Sequence, residues 1–279
     1  MSDIYTDQMT RKSSEIQRLE EQFDLMTANI GYILHPSVVA SLPATARIAD
    51  IGTGTGRFLL RLRESYPNAV LDGSDISSAL YPPQDTLPSN VYLTELDAKQ
   101  PLPEHLHGQY DLVHVRLLVA AMLPGDWDTV VRNLCLLLKP GGFLQWEECD
   151  FVGSKYLRGK VNSTVEAARF MGYAFRDALR ERFEHGWSTL PKNMTDAGLT
   201  PVVSDVVSSD RLPETRAQLT ITGLQAIFSW ARLMTERGVK GSLSSDELES
   251  LERKAYEDVR SGCYVRYDIY VTCGQKPLE

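Results

Sequence analysis

The stretch that most constrains the fold is residues 47–56, an apolar run that ends in an acid and then alternates glycine with threonine, RIADIGTGTG. The apolar positions are typical of a buried strand, and the glycines permit backbone angles and a close ligand approach that side chains would block. Apolar residues at helical spacing follow at once, beginning at Phe58. The stretch therefore predicts a strand, a glycine turn and a helix whose N-terminal N–H groups point into the turn.

The glycine spacing separates this loop from two better-known phosphate loops. It lacks the Gly-Lys-Ser/Thr ending of a P-loop, and Gly-x-Gly-x-Gly differs from the dinucleotide pattern Gly-x-Gly-x-x-Gly. Asp50 lies two residues before Gly52, at the predicted strand tip, where its carboxylate would repel a pyrophosphate but attract an ammonium. The loop favours a cofactor with an amino-acid end and a nucleoside end, and an ordinary tight turn is the alternative.

A second predicted strand, residues 69–76, also ends in an acid. Asp75 lies at the distance beyond the glycines at which an acid in a strand-helix-strand unit accepts hydrogen bonds from ribose hydroxyls. Asp72 is the competing acid, but it lies in the middle of the strand and we expect it to face outwards. Together the glycines and Asp75 predict a nucleoside site.

Three more strands and a helix follow in the same alternating order. The strands are predicted at residues 90–97, 110–116 and 143–148, and the helix at 127–138. Strands joined by helices or long crossovers form parallel sheets, which bind ligands at the carboxyl ends of their strands. We therefore expect the following polar residues to converge on one edge: Asp50, Asp75, Asp97, His114, Glu147 and Glu148.

Helical patterns flank this alternating core on both sides. Residues 10–42 predict a helix that ends near Ile30 and a short one after Pro36, which can cover the glycine loop. After residue 150, helical patterns, the first over 161–183, surround a sixth strand near 202–208, and 264–273 predicts a seventh. Aromatic residues of these later helices are candidate pocket lining, with core packing as the alternative. The predicted divisions are a helical cover (1–45), a cofactor-binding core (46–152) and a segment of lid helices with the last two strands (153–279).

Composition limits the partners. The net charge of −8, without a basic stripe, argues against nucleic acid. No apolar run approaches the roughly 18 residues of a spanning helix, and the polar N-terminus resembles neither a signal nor a transit peptide, so we expect no membrane partner and a cytoplasmic protein. The four cysteines are widely spaced without a His pair, which predicts buried thiols and no metal site.

The ordered motifs ADIGTGTG, VLDGSDIS, LDA, YDLVHVR and LKPGGFLQWEE resemble those of the class I methyltransferases that use S-adenosyl-L-methionine. Residues 18–22 and 31–36, with His114-Val-Arg116, look like the fungal secondary-metabolite branch, which includes LaeA-like and gliotoxin-type N-methyltransferases. The resemblance implies an α/β fold: a doubly wound, seven-stranded, mostly parallel, Rossmann-like sheet with N-terminal cover helices and inserted lid helices.

Carried over by position, the resemblance also implies a set of cofactor contacts: Arg18, Gln22, Asp50, Gly52, Gly54, Asp75, Ile76, Asp97, Ala98 and His114. The glycines pass beneath the methionine portion, with Asp50 near its ammonium, and Asp75 takes the ribose hydroxyls. Adenine contacts come from Ile76, Asp97 and Ala98. Arg18 and Gln22 cover the carboxylate end, because that carboxylate needs a positive partner.

Methyl transfer gains much of its rate from orientation, and a general base is needed only when the nucleophile carries a proton of high pKa. His114 is the first candidate base, at the tip of strand four, with pocket shaping as its alternative. Tyr32 and His35 are the next candidates, with helix packing as theirs. Arg116 is either a clamp for a substrate anion or, as we favour, the salt-bridge partner of a nearby acid.

The combined prediction is a methyltransferase that methylates a nitrogen or oxygen, less readily a sulfur, of a small secondary metabolite by direct displacement. Two alternatives keep the same fold: a cyclase or rearrangement catalyst that holds the cofactor without transferring methyl, and a LaeA-like regulatory protein. A dinucleotide oxidoreductase is a more distant one.

Overall fold

The computed structural model of this chain describes Tyr5, Met9 and residues 13–279. Its centre is a seven-stranded sheet in the order β3-β2-β1-β4-β5-β9-β7. The strands, in chain order, are β1 (Arg47–Ile51), β2 (Val70–Asp75), β3 (Val91–Glu95), β4 (Tyr110–Arg116), β5 (Leu138–Cys149), β6 (Lys155–Arg158), β7 (Val202–Ser208), β8 (Cys263–Arg266) and β9 (Asp268–Gln275). The strands from β3 to β5 pair in parallel, and β9 pairs antiparallel with both β5 and β7. The predicted fold class is confirmed.

Helices cover both faces of this sheet. In chain order they are α1 (Ser13–Ile30), α2 (Pro36–Val39), α3 (Arg57–Leu62), α4 (Asp126–Leu137), α5 (Glu166–Ala178), α6 (Arg180–Phe183), α7 (Leu190–Asp196), α8 (Arg216–Glu236) and α9 (Ser245–Ser261). The predicted end of the first helix at Ile30 and the break before Pro36 are confirmed, while its predicted start near residue 10 lies outside the described residues. None of the helices within 13–279 is long and apolar enough to cross a membrane.

The buried apolar side chains form three clusters. One lies between α1, α3 and one face of the sheet, and a second lies between α4, α7 and the other face. A third joins α5, α8 and α9, including Met171, Phe228 and Ala255. The first two clusters fix the sheet edge that carries the predicted site. The third gives the later helices a core of their own.

One predicted element near the C-terminus was wrong in detail. Residues 264–273 alternate like one strand, but the structure divides them at Tyr267 into β8 and β9. Tyr267 is buried and its N–H donates to Ser209 Oγ at 3.0 Å instead of continuing a ladder. Because of this break, β8 leaves the central sheet and pairs with β6, a strand that the sequence did not predict.

Two boundaries elsewhere also differ from the predictions. The helix predicted over 161–183 begins only at Glu166 and is interrupted at Leu179, which separates α5 from α6. The fifth strand begins at Leu138, before the predicted Phe143, because Leu138 already pairs with Tyr110 of β4 and a register shift accommodates the residues between Leu138 and Phe143. These shifts leave the carboxyl ends of the strands unchanged.

Candidate active site

A cavity opens where β1, β2 and β4 end, beneath α1. All the residues for which we predicted cofactor contacts line it: Arg18, Gln22, Asp50, Gly52, Gly54, Asp75, Ile76, Asp97, Ala98 and His114. The sheet topology brings the strand ends together, and the helix that precedes the first strand closes over them. We call the side that holds Asp50, Gly52, Gly54, Asp75 and Asp97 the acidic wall.

The glycine loop has two positions that demand glycine for different reasons. Gly52 has φ +72, and a Cβ there would lie 2.5 Å from Leu118 Cδ2. Gly54 has φ +55, and a Cβ there would meet no atom within 4 Å. The backbone N–H of Gly54 donates to Asp75 Oδ2 at 3.0 Å. The loop is therefore tightly packed beneath Gly52 and open above Gly54, which leaves room for a ligand against the backbone.

Asp50 and His114 lie side by side in the registered strands β1 and β4. Asp50 Oδ2 accepts from the Thr53 hydroxyl at 2.6 Å, and Oδ1 lies 2.7 Å from His114 Nδ1. The imidazole stacks on Phe58, with ring centroids 3.6 Å apart and an angle of 3° between the rings. The carboxylate is thus held in one orientation at the end of β1.

The other ring nitrogen of His114 faces a second acid, Glu147 on β5, with Nε2 3.4 Å from Oε1. Arg116 Nε lies 2.5 Å from the opposite oxygen, Oε2, so Arg116 is a salt-bridge partner as we favoured. Burial alone would raise the pKa of Glu147, but the charges of Arg116 and His114 lower it to about 2. Glu147 is therefore a buried carboxylate at neutral pH.

The geometry does not favour His114 as a general base. Burial alone would lower its pKa, but hydrogen bonds to Asp50 and Glu147 outweigh burial and raise the pKa above its ordinary value. Both ring nitrogens already face carboxylate oxygens, so neither points to a site where it could take a proton from an acceptor molecule. His114 lies beside Asp50, two residues before the end of β4. The ring holds the neighbouring carboxylates.

Tyr32 and His35 do not reach the cavity, which corrects their predicted placement beside the cofactor. The Tyr32 hydroxyl donates to Asp205 Oδ2 on β7 at 2.6 Å, and His35 Nε2 lies 3.4 Å from the same oxygen. His35 also caps α2, accepting from the backbone N–H of Ser37. Because the chain turns at Gly31 and enters α2, these side chains face β7.

Arg18 and Gln22 lie on the face of α1 that covers the cavity. Arg18 is buried and ion-paired with Glu15, with Nε 3.0 Å from Oε2. Its Nη1 donates to Gln22 Oε1 at 3.4 Å. A cofactor carboxylate would therefore share Arg18 with Glu15, and the predicted contact stays a prediction.

A second part of the cavity lining is apolar. It is formed by residues after β4 and by the segments that follow β5: Leu118, Met122, Phe151, Phe175 and Phe183, which we call the apolar wall. Phe183 lies in ring contact with Phe151 and Phe175, at centroid distances of 5.2 and 5.5 Å. Phe175 and Phe183 are among the aromatic residues of the later helices that the sequence offered as candidate pocket lining.

Two neighbours of the site, Leu117 and Leu118, were not anticipated from the sequence. Leu118 fills the space beneath Gly52, and it follows Leu117, which has the unusual φ of +53. The Leu118 N–H donates to Glu148 Oε1 at 2.9 Å. A leucine in a left-handed conformation leaves no sequence signal, so this support could not be predicted. Among residues 13–279, Tyr5 and Met9, no three His, Cys, Asp or Glu side chains group as a metal site.

These observations fit S-adenosyl-L-methionine. The buried carboxylate of Asp50 suits an ammonium, Asp75 suits a pair of ribose hydroxyls, and the open backbone at Gly54 leaves space between them. The apolar wall supplies a separate surface beyond the acidic groups. Both ends of the cofactor thus have chemically suitable partners.

Comparisons with known proteins agree with this assignment. A family model described as a methyltransferase domain matches residues 49–144. Methyltransferase grgD of a Penicillium species is 46% identical over 117 residues, which cover 39% of this chain and 40% of that protein. N-methyltransferase sirN of Leptosphaeria maculans is 34% identical over 157 residues, which cover 56% of this chain and 51% of that protein. The chain thus spans about half the length of these relatives.

Among solved structures, a phosphoethanolamine N-methyltransferase 2 of Haemonchus contortus shares the fold. That structure contains phosphomonomethylethanolamine and S-adenosylhomocysteine. The TM-score is 0.51 and the identity is 13%, over 92% of this chain and 53% of that one. The match supports the fold and its topology.

Proposed function

Because this chain belongs to the class I S-adenosyl-L-methionine-dependent methyltransferases, we propose that it methylates a nitrogen or oxygen atom of a small secondary metabolite by direct displacement. The observation that carries the proposal is the cavity with two unlike walls. One wall has the acids and glycines suited to the cofactor, and the other is lined by aromatic and aliphatic side chains.

The acidic wall binds and orients the methyl donor in this proposal. When bound, the cofactor supplies a methyl group on a sulfonium, which a nucleophile displaces with S-adenosylhomocysteine as the leaving group. Asp50 holds the ammonium and Asp75 the ribose, while His114 keeps the Asp50 carboxylate fixed through its 2.7 Å contact. α1 covers this end and excludes water. Such alignment is the main source of rate that the protein can provide.

The apolar wall favours an uncharged acceptor. Charged side chains around the cavity already have opposite charges beside them: Arg18 with Glu15, Arg57 with Asp24, Lys99 with Asp126 and Arg116 with Glu147. A charged acceptor would have to compete with one of these pairs. Aromatic rings at Phe151, Phe175 and Phe183 provide flat apolar surface for a neutral molecule.

Nitrogen is the preferred acceptor atom. The lone pair of a neutral amine can attack without prior loss of a proton, and the proton leaves to water afterwards. This suits a site whose histidine is held between two carboxylates. The printed name of sirN, an N-methyltransferase, supports the same choice.

Methyl transfer can be tested with purified protein and cofactor carrying a deuterated methyl group. The acceptor panel would pair neutral aromatic amines and amides with charged aliphatic amines and carboxylates of similar size. We expect S-adenosylhomocysteine and a deuteromethyl product in equal amounts, with nitrogen acceptors of the neutral aromatic group preferred. Mass spectrometry of the products identifies the methylated atom.

Asp50→Ala is the matched control for the acidic wall. It removes the carboxylate that we propose binds the ammonium of the cofactor, and it leaves the apolar wall unchanged. Its product yield should fall at least about 100-fold, in line with the loss of a buried charged contact. A product formed without S-adenosylhomocysteine would instead establish a cofactor-holding cyclase or rearrangement catalyst. Cofactor binding without any product across the panel would favour a regulatory protein of the LaeA type.

A further inference from the structure

A chain of buried charges runs from the cofactor loop to the sheet edge beneath α1. Asp50 on β1 contacts His114 on β4 at 2.7 Å, His114 lies 3.4 Å from Glu147 on β5, and Glu147 lies 2.5 Å from Arg116 at the end of β4. None of the four side chains is more than 9% exposed. The chain alternates two acidic side chains, Asp50 and Glu147, with the His114 ring and the Arg116 guanidinium.

Arg116 carries this chain on to the cover helix. Its Nη1 donates to Thr27 Oγ1 at 3.1 Å and to the backbone carbonyl of Phe23 at 3.3 Å. Its guanidinium carbon lies 4.2 Å from the centroid of the Phe23 ring. The side chain therefore makes three contacts to α1 while its Nε faces Glu147 in the sheet.

Aromatic packing connects the same two ends by a second route. The Phe23 ring meets Phe58 edge-on, with centroids 6.5 Å apart, and Phe58 stacks on His114 at 3.6 Å. Phe23, Phe58 and His114 all line the cavity. A displacement of α1 at Phe23 would therefore disturb the ring that orients Asp50.

We propose that Arg116 is a positioning residue that couples the docking of α1 to the cofactor seat at Asp50. It neutralises Glu147 on one side and holds the middle of α1 on the other, so the cover closes tightly only while the charge chain is intact. Arg116 also lines the cavity, whereas its α1 partner Thr27 does not, so a substitution at Thr27 separates the positioning role from any direct contact with the cofactor. The identity of the ligand, though not the docking of α1, rests on the proposed function.

The polar contacts of α1 at Asp24 and Asn29 are more exposed or lie farther from the cavity. Arg57 pairs with Asp24 at 2.6 Å, but these side chains are 32% and 44% exposed, and such pairs contribute little in water. Asn29 donates to Thr215 Oγ1 at 2.8 Å near the C-terminal end of the helix. The cavity-lining part of α1 lies between Arg18 and Met26. Arg116 contacts this part and the next residue, Thr27.

The sharpest test is Thr27→Val, because Thr27 is absent from the cavity lining and valine has almost the same shape. The substitution removes a hydrogen bond from Arg116 without leaving a buried charge unpaired. Arg116→Lys keeps a positive charge near Glu147 but loses the planar guanidinium, whose N–H groups can donate to several partners at once. Arg116→Met removes the charge altogether. Arg132→Met, at an exposed ion pair on α4, is the control for the loss of an arginine.

Binding of S-adenosylhomocysteine would be measured by calorimetry, and hydrogen exchange by mass spectrometry would follow peptides of α1 and α9. We expect Thr27→Val and Arg116→Lys each to weaken binding about 10-fold, and Arg116→Met about 100-fold. The double variant Thr27→Val/Arg116→Lys should bind about as tightly as either single variant, because both substitutions remove the same contact between Thr27 and Arg116. Exchange should rise in α1 and stay unchanged in α9.

Wild-type affinity and wild-type α1 exchange in both Thr27→Val and Arg116→Lys would overturn the proposal, even if Arg116→Met failed to fold. A lower melting temperature with unchanged affinity and α1 exchange would also overturn it, by showing a structural role only. Exchange in α1 needs no ligand, so it judges the docking contact even if the wild type does not bind S-adenosylhomocysteine. In that case the proposed function fails separately.

Discussion

The acidic wall and the apolar wall share one cavity but are built by different means. The acidic wall consists of strand ends and a glycine loop, where Asp50 and Asp75 are held by hydrogen bonds of 2.6 to 3.0 Å. The apolar wall consists of side chains from loops and lid helices that touch through their rings. The first fixes individual atoms, and the second fixes mainly a shape. The methyl donor is therefore specified far more narrowly than the acceptor.

The largest loss of stability and cofactor binding is expected for Gly52→Val in the acidic wall. A Cβ there would lie 2.5 Å from Leu118 Cδ2, and the φ of +72 disfavours valine. Strain and overpacking together should lower the free energy of unfolding by about 3 kcal/mol and abolish cofactor binding. Gly54→Ala, where a Cβ meets open space, should lose only about 1 kcal/mol of stability. Denaturant unfolding and calorimetry measure both, and equal stability losses would contradict the packing difference.

In the lid, Phe228→Ala and Phe175→Ala should separate core packing from pocket lining. Phe228 is fully buried among α5, α8 and α9, so its loss should cost about 4 kcal/mol. Phe175 is half-buried and lines the cavity, so its loss should cost less than about 2 kcal/mol. Chemical denaturation measures the stability, and steady-state kinetics should show a raised acceptor KM for Phe175→Ala alone. A raised KM for both would mean that the apolar wall has no distinct boundary.

Glu148 accepts a hydrogen bond from the N–H of Leu118 in the apolar wall, and it should make the stability of the protein depend on pH. Burial raises its pKa from 4.5 to about 8, despite hydrogen bonds from Trp146 and Leu118. The folded protein therefore retains a proton that the unfolded chain releases, so its contribution to stability is present below pH 4.5 and is lost as pH rises to about 8. Glu148→Gln should lessen this decline when melting is followed from pH 5 to pH 9. An identical decline in the variant would place the titrating group elsewhere.

The smallest effect is expected far from both walls, at Arg132→Met. Its partner Asp128 is one turn earlier on α4, and both side chains are more than half exposed. Such an exposed pair contributes little to stability, because water and salt screen the two charges. Thermal unfolding and cofactor affinity should therefore stay close to those of the wild type. A large change in melting temperature or affinity would show that surface charges affect the cavity more strongly than the residues of its two walls do.

The acidic wall could be predicted because its signals are local. Glycines at fixed spacing and acids at strand tips are read from neighbouring residues, and the topology then brings them together without further information. Asp50 and Asp75 follow this logic, and both lie where the sequence placed them. The order of the strands and the end of α1 at Ile30 were likewise predictable from pattern alone.

Other parts of the fold and the site depend on contacts between residues that are far apart in the chain. The periodicity of the sequence does not predict such contacts. His114 was predicted at a strand tip, yet its role follows from carboxylates 64 and 33 residues away in the chain. Tyr32 and His35 turn towards Asp205 because of how the chain enters α2. The strand β6 is polar and short, and it exists because β8 is diverted from the sheet at Tyr267.

The central claim is that the acidic wall is the cofactor seat, and two acids on β2 test it directly. Asp75 lines the cavity, whereas Asp72 does not and pairs with Arg47 at 2.8 Å. Calorimetry with S-adenosylhomocysteine should show binding by the wild type, a loss of about 30-fold or more for Asp75→Asn and wild-type affinity for Asp72→Asn. Wild-type affinity for Asp75→Asn, or equal losses for both variants, would contradict the account.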